Sequence, residues 1–189
     1  MEDRPRLSPL DWMVVAWGVG GVLALLANAI VRLSPIAAEA LTMELGALHW
    51  AALAGWVAFM GYAEGWRGFH RRFSPRVVAR AFHLGRRRRL GSALLAPAYC
   101  MSLFASTRRG TLVAWSLVVG ISALVVLVRM TPQPWRGIVD AGVVIGLGVG
   151  SLSIGWHVLR SLRLGPQLPT DLPPGDLPQP AGQSSRTAA

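Results

Sequence analysis

The chain has 189 residues, a mean hydropathy of +0.43 and only 15% charged side chains, which is too apolar for an ordinary soluble domain. Its formal charge of +10 comes entirely from 19 arginines, because the sequence contains no lysine. The single cysteine, Cys100, excludes an intramolecular disulfide, a CxxC redox pair and a cysteine-rich metal site. The composition therefore predicts an integral membrane protein.

Four apolar segments are each long enough to cross a bilayer core of about 30 Å. They cover residues 12–33, 45–63, 111–128 and 138–159. The first segment also has features of a signal peptide, because Arg4 and Arg6 precede it and residues 27–29 have the small-x-small form of a cleavage site. Acidic residues beside those arginines, and an apolar run that continues past the cleavage site, favour a membrane span.

A fifth apolar segment, residues 90–106, is short for a span and holds Pro97 near its middle, so it is either a short span or a kinked interfacial helix. The positive-inside rule compares the two arrangements. Four spans put 16 arginines inside and 3 outside, whereas five spans put 13 inside and 6 outside. We therefore predict an all-α bundle of four transmembrane helices, with five as the alternative, in a bacterial inner membrane with both termini cytoplasmic.

The loop after the second span is predicted to be cytoplasmic, because residues 65–89 contain nine arginines. Within it, Ser74 and Pro75 resemble a helix start and Gly85 a helix end. The sequence therefore predicts a short basic amphipathic helix that lies on the headgroups. Its apolar side holds Val77, Val78, Ala81 and Leu84, and its basic side holds Arg76, Arg80 and His83.

Aromatic side chains alternate with arginines where this loop begins. Arginine binds phosphate through two parallel hydrogen bonds, and tryptophan favours the membrane interface, so the predicted partner is anionic lipid. Nucleic acid is not predicted, because a loop of about 25 residues held at a membrane buries little interface. The predicted contact residues are Trp66, Arg67, Arg71, Arg72, Arg76, Arg80, Arg86, Arg87, Arg88 and Arg89.

A stripe of small residues runs along the fourth span. Gly142, Gly146 and Gly150 are spaced four apart and therefore share one face of a helix. Helices associate in bilayers largely through close packing, and such a stripe lets another backbone approach. It predicts contact with other transmembrane helices, either inside this bundle or in a homo-oligomer or larger complex.

Four polar residues are predicted at the outer ends of the spans: Asn28, Glu44, His49 and Asp140. Polar groups at such depth are costly unless they are paired or hydrated. They predict either a small vestibule for a cation, a proton or a polar headgroup, or ordinary helix-end residues that reach water. No metal or other cofactor is predicted, because no His or acidic pair within a span has the spacing of metal ligands.

Residues 1–164 thus form the membrane bundle, and residues 165–189 are predicted to be a disordered tail because they contain six prolines and no apolar run. The tail repeats Asp-Leu-Pro at 171–173 and 176–178.

Three functional hypotheses follow from these patterns. The first is a non-catalytic subunit or accessory of a membrane assembly, since neither a nucleophile elbow nor an HExxH motif is present. The second is a small transporter or channel that uses the outer polar residues. The third is an enzyme that acts on lipid headgroups with Glu64 and His70.

Overall fold

The computed structural model describes residues 8–87, 93–169 and 171–172, and these residues contain no β-strand. They form six α-helices and one π-helix. In chain order these are α1 (Pro9–Leu41), α2 (Ala47–Met60), the π-helix (Gly61–Phe73), α3 (Ser74–Arg87), α4 (Ala96–Cys100), α5 (Arg108–Arg129) and α6 (Trp135–Leu164). The predicted all-helical fold is confirmed.

Three of these helices, α1, α5 and α6, are long and apolar enough to cross a membrane. They contain the predicted first, third and fourth spans, and α1 continues through Pro35 to Leu41. The second predicted span, residues 45–63, is not among these three helices, because it falls on α2 and the first residues of the π-helix, and four spans are therefore not confirmed.

The chain remains helical after the end of α2. The backbone is helical at both junctions, with φ and ψ of −57° and −41° at Gly61 and of −59° and −47° at Ser74, so one continuous helix runs from Ala47 to Arg87. Residues 65–73, which the sequence predicts as loop, are therefore helical, and the helix predicted between Ser74 and Gly85 is present and extends to Arg87. A π-helix of 13 residues is unusual, because this form mostly occurs as single-turn bulges.

Helix α3 packs beside the first half of α1. Its predicted apolar residues Val77, Val78, Ala81 and Leu84 are all buried. Gly85 lies inside the helix and not at its end, and a Cβ there would meet the Asp11 carbonyl oxygen at 2.9 Å. Because α3 packs against both α1 and α6, protein covers its apolar side, and the predicted position on the headgroup layer is not confirmed.

The segment before α5 folds against α1 through the short helix α4. Pro97 lies in the first turn of α4, where a missing N–H costs nothing, and the helical path is interrupted at Leu95, so the break predicted at Pro97 lies two residues earlier. Gly18 of α1 makes room for the Cys100 sulfur, and Gly21 makes room for the Pro97 ring. The turn after α4 has two residues in the left-handed region, Ser102 with φ of 63° and Ala105 with φ of 50°.

Contacts at the two ends of the bundle show how its helices are oriented. Gly137 near the start of α6 lies against Ile36 and Ala40 near the end of α1, so these two helices are antiparallel. At the other end, α3 contacts both the start of α1 and the last turns of α6. We call this second end, which carries Arg71, Arg72, Arg76 and Arg160, the arginine end.

Part of the predicted disordered tail is ordered. Residues 165–169 and 171–172 return along the arginine end, and Leu172 is 3% exposed within the same apolar cluster as Val15 and Val77. The prediction of disorder is therefore wrong for these residues, because the buried Leu172 holds the tail against the bundle. The rest of the tail, residues 173–189, lies outside the described residues.

Candidate functional site: a basic cleft at one end of the bundle

Two adjoining cavities of about 490 and 320 Å³ open at the arginine end. Three residues, Pro75, Ala79 and Gln167, line both cavities, and we call the pair the basic cleft. The junction of the π-helix with α3, the last turns of α6 and the returning tail all contribute to the lining. The remaining lining residues are Arg71, Arg72, Arg76, Val78, Val113, His157, Arg160, Ser161, Leu164, Gly165, Pro166, Leu168, Pro169 and Asp171.

Three arginines give the larger cavity its charge. Arg71 and Arg72 are exposed in the last turn of the π-helix, and Arg76 is half-buried in the first turn of α3. Because the helix is continuous, these neighbouring residues reach one wall of the same cavity. Each guanidinium carries a planar fork of donors that matches the oxygens of a phosphate group. The cleft is therefore built to attract an anion.

Arg80 lies one turn beyond Arg76, and its side chain has no exposed surface while Asp171 of the tail is paired with it, so the headgroup contact predicted for Arg80 is not formed in this structure. Its Nε donates a 2.7 Å hydrogen bond to the carbonyl oxygen of Tyr99. Its Nη2 donates to the carbonyl oxygens of Phe104 and Ala105, both at 3.0 Å. The guanidinium also lies 4.1 Å from the centre of the Tyr99 ring. The left-handed turn that follows α4 thus wraps around this one cation.

The counter-ion of Arg80 comes from the tail. Nη1 of Arg80 is 3.3 Å from Oδ1 of Asp171, and the Asp171 side chain is 11% exposed. Ser102 donates a 2.6 Å hydrogen bond to Oδ2, and Ser106 donates to the same oxygen at 3.1 Å. The Thr107 backbone N–H donates to the Asp171 carbonyl at 3.0 Å. We call this arrangement the Arg80–Asp171 site.

The carboxyl of Asp171 stays ionised in this site. Burial alone raises its pKa, but the Ser102 hydrogen bond, the Arg80 charge and the Ser106 hydrogen bond together hold the pKa below its ordinary value. The ion pair is therefore complete at neutral pH. An Arg–carboxylate pair that is hydrogen-bonded in this way is costly to break, because either partner left alone is a buried, uncompensated charge.

The three predicted packing glycines of α6 are buried, and each faces a larger side chain of the same chain. A Cβ on Gly142 would meet Trp56, one on Gly146 would meet Glu64, and one on Gly150 would meet Phe69. The stripe is thus the surface of α6 against which α2 and the π-helix pack. The indole N–H of Trp56 fixes the register by donating a 3.1 Å hydrogen bond to the Val139 carbonyl.

The same face of α6 continues into a small polar cluster. Nδ1 of His70 lies 2.9 Å from the Ser153 hydroxyl, and Nε2 of His157 donates a 3.1 Å hydrogen bond to the His70 carbonyl. Glu64 faces Gly146, which is seven residues and about 10 Å along α6 from Ser153. The structure therefore does not bring Glu64 and His70 to one position, as the enzyme hypothesis requires.

Three of the four residues of the predicted outer vestibule contact separate partners. Asn28 is exposed and accepts a 3.2 Å hydrogen bond from Arg32. Glu44 is exposed before α2, whereas the His49 ring lies 5.0 Å from the Trp135 ring. Asp140 is 5% exposed and lies 3.9 Å from Arg136. His49 and Asp140 lie at the end of the bundle opposite the basic cleft.

The remaining predicted lipid-contact residues lie outside the cleft lining. Trp66 is exposed and stacks on His70 at 4.6 Å, and Arg67 beside it is exposed. Arg86 and Arg87 are exposed at the end of α3, and Arg88 and Arg89 lie outside the described residues.

Cys100 packs in the core, where burial raises the pKa of its thiol to about 12. No group of three His, Cys, Asp or Glu side chains in the described residues is placed to bind a metal ion.

Sequence reasoning missed four residues of the Arg80–Asp171 site: Tyr99, Ser102, Ser106 and Asp171. The one signal in the sequence that involves them is the Asp-Leu-Pro repeat in the tail, whose first copy supplies both the buried carboxylate and the buried Leu172. Comparison of the chain with protein-family models, with curated protein sequences and with solved structures finds no match.

Proposed function

We propose that this chain is a multi-pass membrane protein that binds the headgroup of an anionic phospholipid in the basic cleft, and that it serves as a non-catalytic subunit or accessory of a membrane assembly. The observation that carries this proposal is the cavity of about 490 Å³ lined by Arg71, Arg72 and Arg76 at the arginine end. The positive-inside rule favours a cytoplasmic location for this end.

The position of the cleft suits a lipid better than a dissolved anion. Val113 in the first turns of α5 lines the same cavity as the arginines, and α5 is exposed and apolar along most of its length. An anionic lipid in this position places its phosphate among the guanidinium groups while its acyl chains lie along α5. The proposal therefore requires a ligand that has both a negative charge and apolar acyl chains.

The transporter hypothesis has less support from the geometry. It needs the outer polar residues to face a common path, and Asn28, His49 and Asp140 each contact a different partner. The basic cleft, by contrast, places three arginines on one cavity wall.

The test uses the full chain in a neutral detergent and measures the binding of dioctanoyl phosphatidylglycerol, with dioctanoyl phosphatidylcholine and inorganic phosphate as comparison ligands. The double variant R71Q/R72Q removes two charges from the cleft wall. The matched control R108Q/R109Q removes an adjacent, exposed arginine pair at the start of α5 that does not line either cavity.

We expect phosphatidylglycerol to bind more tightly than either comparison ligand. R71Q/R72Q weakens this binding at least tenfold, because two charge-assisted contacts of roughly 1 kcal/mol each are lost. The control changes it by less than twofold. Equal losses in the two double variants would show unspecific charge attraction and would overturn the proposal.

A further inference from the structure

Part of the lining of the basic cleft belongs to the chain's own tail. Gln167, Leu168, Pro169 and Asp171 line the same cavity as Arg71, Arg72 and Arg76. The tail therefore already supplies the cleft with one anionic group, the Asp171 carboxylate, and covers part of the space that a bound headgroup would use.

Arg80 is held in place independently of the tail. Its three hydrogen bonds to carbonyl oxygens come from Tyr99, Phe104 and Ala105, which all belong to the segment between α4 and α5. Carbonyl groups orient a guanidinium but do not neutralise it. Asp171 provides the neutralising charge, so departure of the tail leaves a buried cation that requires another anion.

The groups that hold the Asp171 carboxylate also suit a phosphate. They are the free edge of Arg80 and the hydroxyl donors of Ser102 and Ser106. A phosphate group offers more acceptor oxygens than a carboxylate and carries at least the same charge, so it can reproduce these contacts. The 11% exposure of the Asp171 side chain shows that the cleft reaches this position.

We propose that tail residues 165–169 and 171–172 form a latch, in which Asp171 occupies the position on Arg80 that the phosphate of an anionic lipid takes when the tail leaves. Lipid and tail then exclude each other, and the tail sets the affinity of the cleft. This inference rests on the proposed lipid-binding function, which it extends by naming the regulation of the same cleft.

The tail offers a matched pair of variants for the test. D171N and D176N each remove one negative charge from an Asp-Leu-Pro tripeptide, and only Asp171 is bound to Arg80 in the described residues. Lipid affinity is measured with dioctanoyl phosphatidylglycerol, phosphatidylcholine and inorganic phosphate in neutral detergent. Hydrogen exchange of the Thr107 amide, which donates to the Asp171 carbonyl, reports the latch directly.

We expect D171N to bind phosphatidylglycerol about tenfold more tightly than the unmodified chain and D176N to stay within twofold. The Thr107 amide exchanges faster in D171N, and it also exchanges faster in the unmodified chain when phosphatidylglycerol is saturating. If D171N does not fold, L172A replaces it, because this variant removes the buried side chain that holds the tail against the bundle and leaves every donor to the phosphate in place. Its expected gain in affinity is about threefold.

Two results would overturn the latch while leaving lipid binding intact: equal affinities in D171N and D176N, or Thr107 exchange that saturating phosphatidylglycerol does not change. Absence of any preference for phosphatidylglycerol over phosphatidylcholine in the unmodified chain would overturn the proposed function, and the latch with it. A gain in D171N for inorganic phosphate alone would assign the Arg80–Asp171 site to a dissolved anion and would also overturn the proposal.

Discussion

Two buried regions hold this bundle together by opposite means. Along α6, the glycines have no side chain, so Trp56, Glu64 and Phe69 can approach the backbone closely. At the Arg80–Asp171 site, a full positive charge is buried and then compensated by a carboxylate 91 residues away in the chain. The first region depends on shape and tolerates no added volume. The second depends on charge, and each partner there is destabilising without the other.

The largest effect is expected from removing one partner of the charged site. R80M retains the apolar stem but leaves Asp171 buried without its cation, which lowers the free energy of unfolding by about 3 to 5 kcal/mol. Unfolding by sodium dodecyl sulfate, followed by tryptophan fluorescence, measures this change. R67M, at an exposed arginine of the π-helix, is the control and is expected to change stability by less than about 0.5 kcal/mol. A small loss in R80M would contradict the structure at this site.

A smaller effect is expected from adding volume to the glycine stripe. G150V brings a Cβ to 2.6 Å from the Phe69 ring and costs about 1 to 3 kcal/mol through overpacking. Gly148, two residues earlier on α6, and Gly120 on α5 have open space around them. G148V and G120V are therefore expected to change stability by less than about 0.5 kcal/mol in the same assay. Equal losses in all three variants would mean that helix propensity and not packing is responsible.

The pH dependence separates the two regions further. Since the pKa of Asp171 is lowered in the folded state, its ion pair stabilises the fold above the unfolded pKa of about 3.9, and this stabilisation is lost as the pH falls through the folded value. The Asp171 contribution is therefore constant from pH 8 to pH 5, begins to fall near pH 4 and is lost only below the folded pKa. Unfolding measured across this range shows a smaller acid-induced loss in D171N than in D176N. A change in the Asp171 contribution between pH 6 and pH 7 would contradict this assignment.

The smallest structural perturbation tests how the chain crosses the membrane. With a thiol pKa of about 12, buried Cys100 is expected to remain unlabelled by maleimide at neutral pH. Any labelling then comes from the introduced cysteine. R109C at the start of α5 and M130C just after its end are both exposed. In intact cells, a membrane-impermeant maleimide labels M130C and not R109C if α5 spans with the arginine end inside. Labelling of both positions would contradict a spanning α5.

The sequence predicts the shape-dependent region better than the charged one. A four-residue period of glycine is visible at Gly142, Gly146 and Gly150 because helical packing is a local property of one helix. The all-helical fold and the three helices that are long and apolar enough to cross a membrane can likewise be predicted from apolar runs in the sequence. The continuous helix through residues 65–87 is harder to predict, because its many arginines resemble a solvated loop until α1 and α6 bury their neighbours.

The charged site depends on contacts that the linear sequence does not show. Arg80 stands among nine arginines of one segment, and composition gives no reason to single it out as buried. Its carbonyl partners belong to a turn with two left-handed non-glycine residues, and its counter-ion belongs to a proline-rich tail that reads as disordered. Only the folded arrangement brings these three segments together.

The contrast between α5 and α6 extends to how freely each helix can change over time. None of the spanning window of α5 is buried inside the protein, against 44% of that of α6. Exchange of one apolar residue for another along α5 therefore preserves everything the helix needs to remain in lipid. Random drift should keep α5 apolar while it changes the identities of its residues, whereas Gly142, Gly146 and Gly150 of α6 should stay fixed under purifying selection.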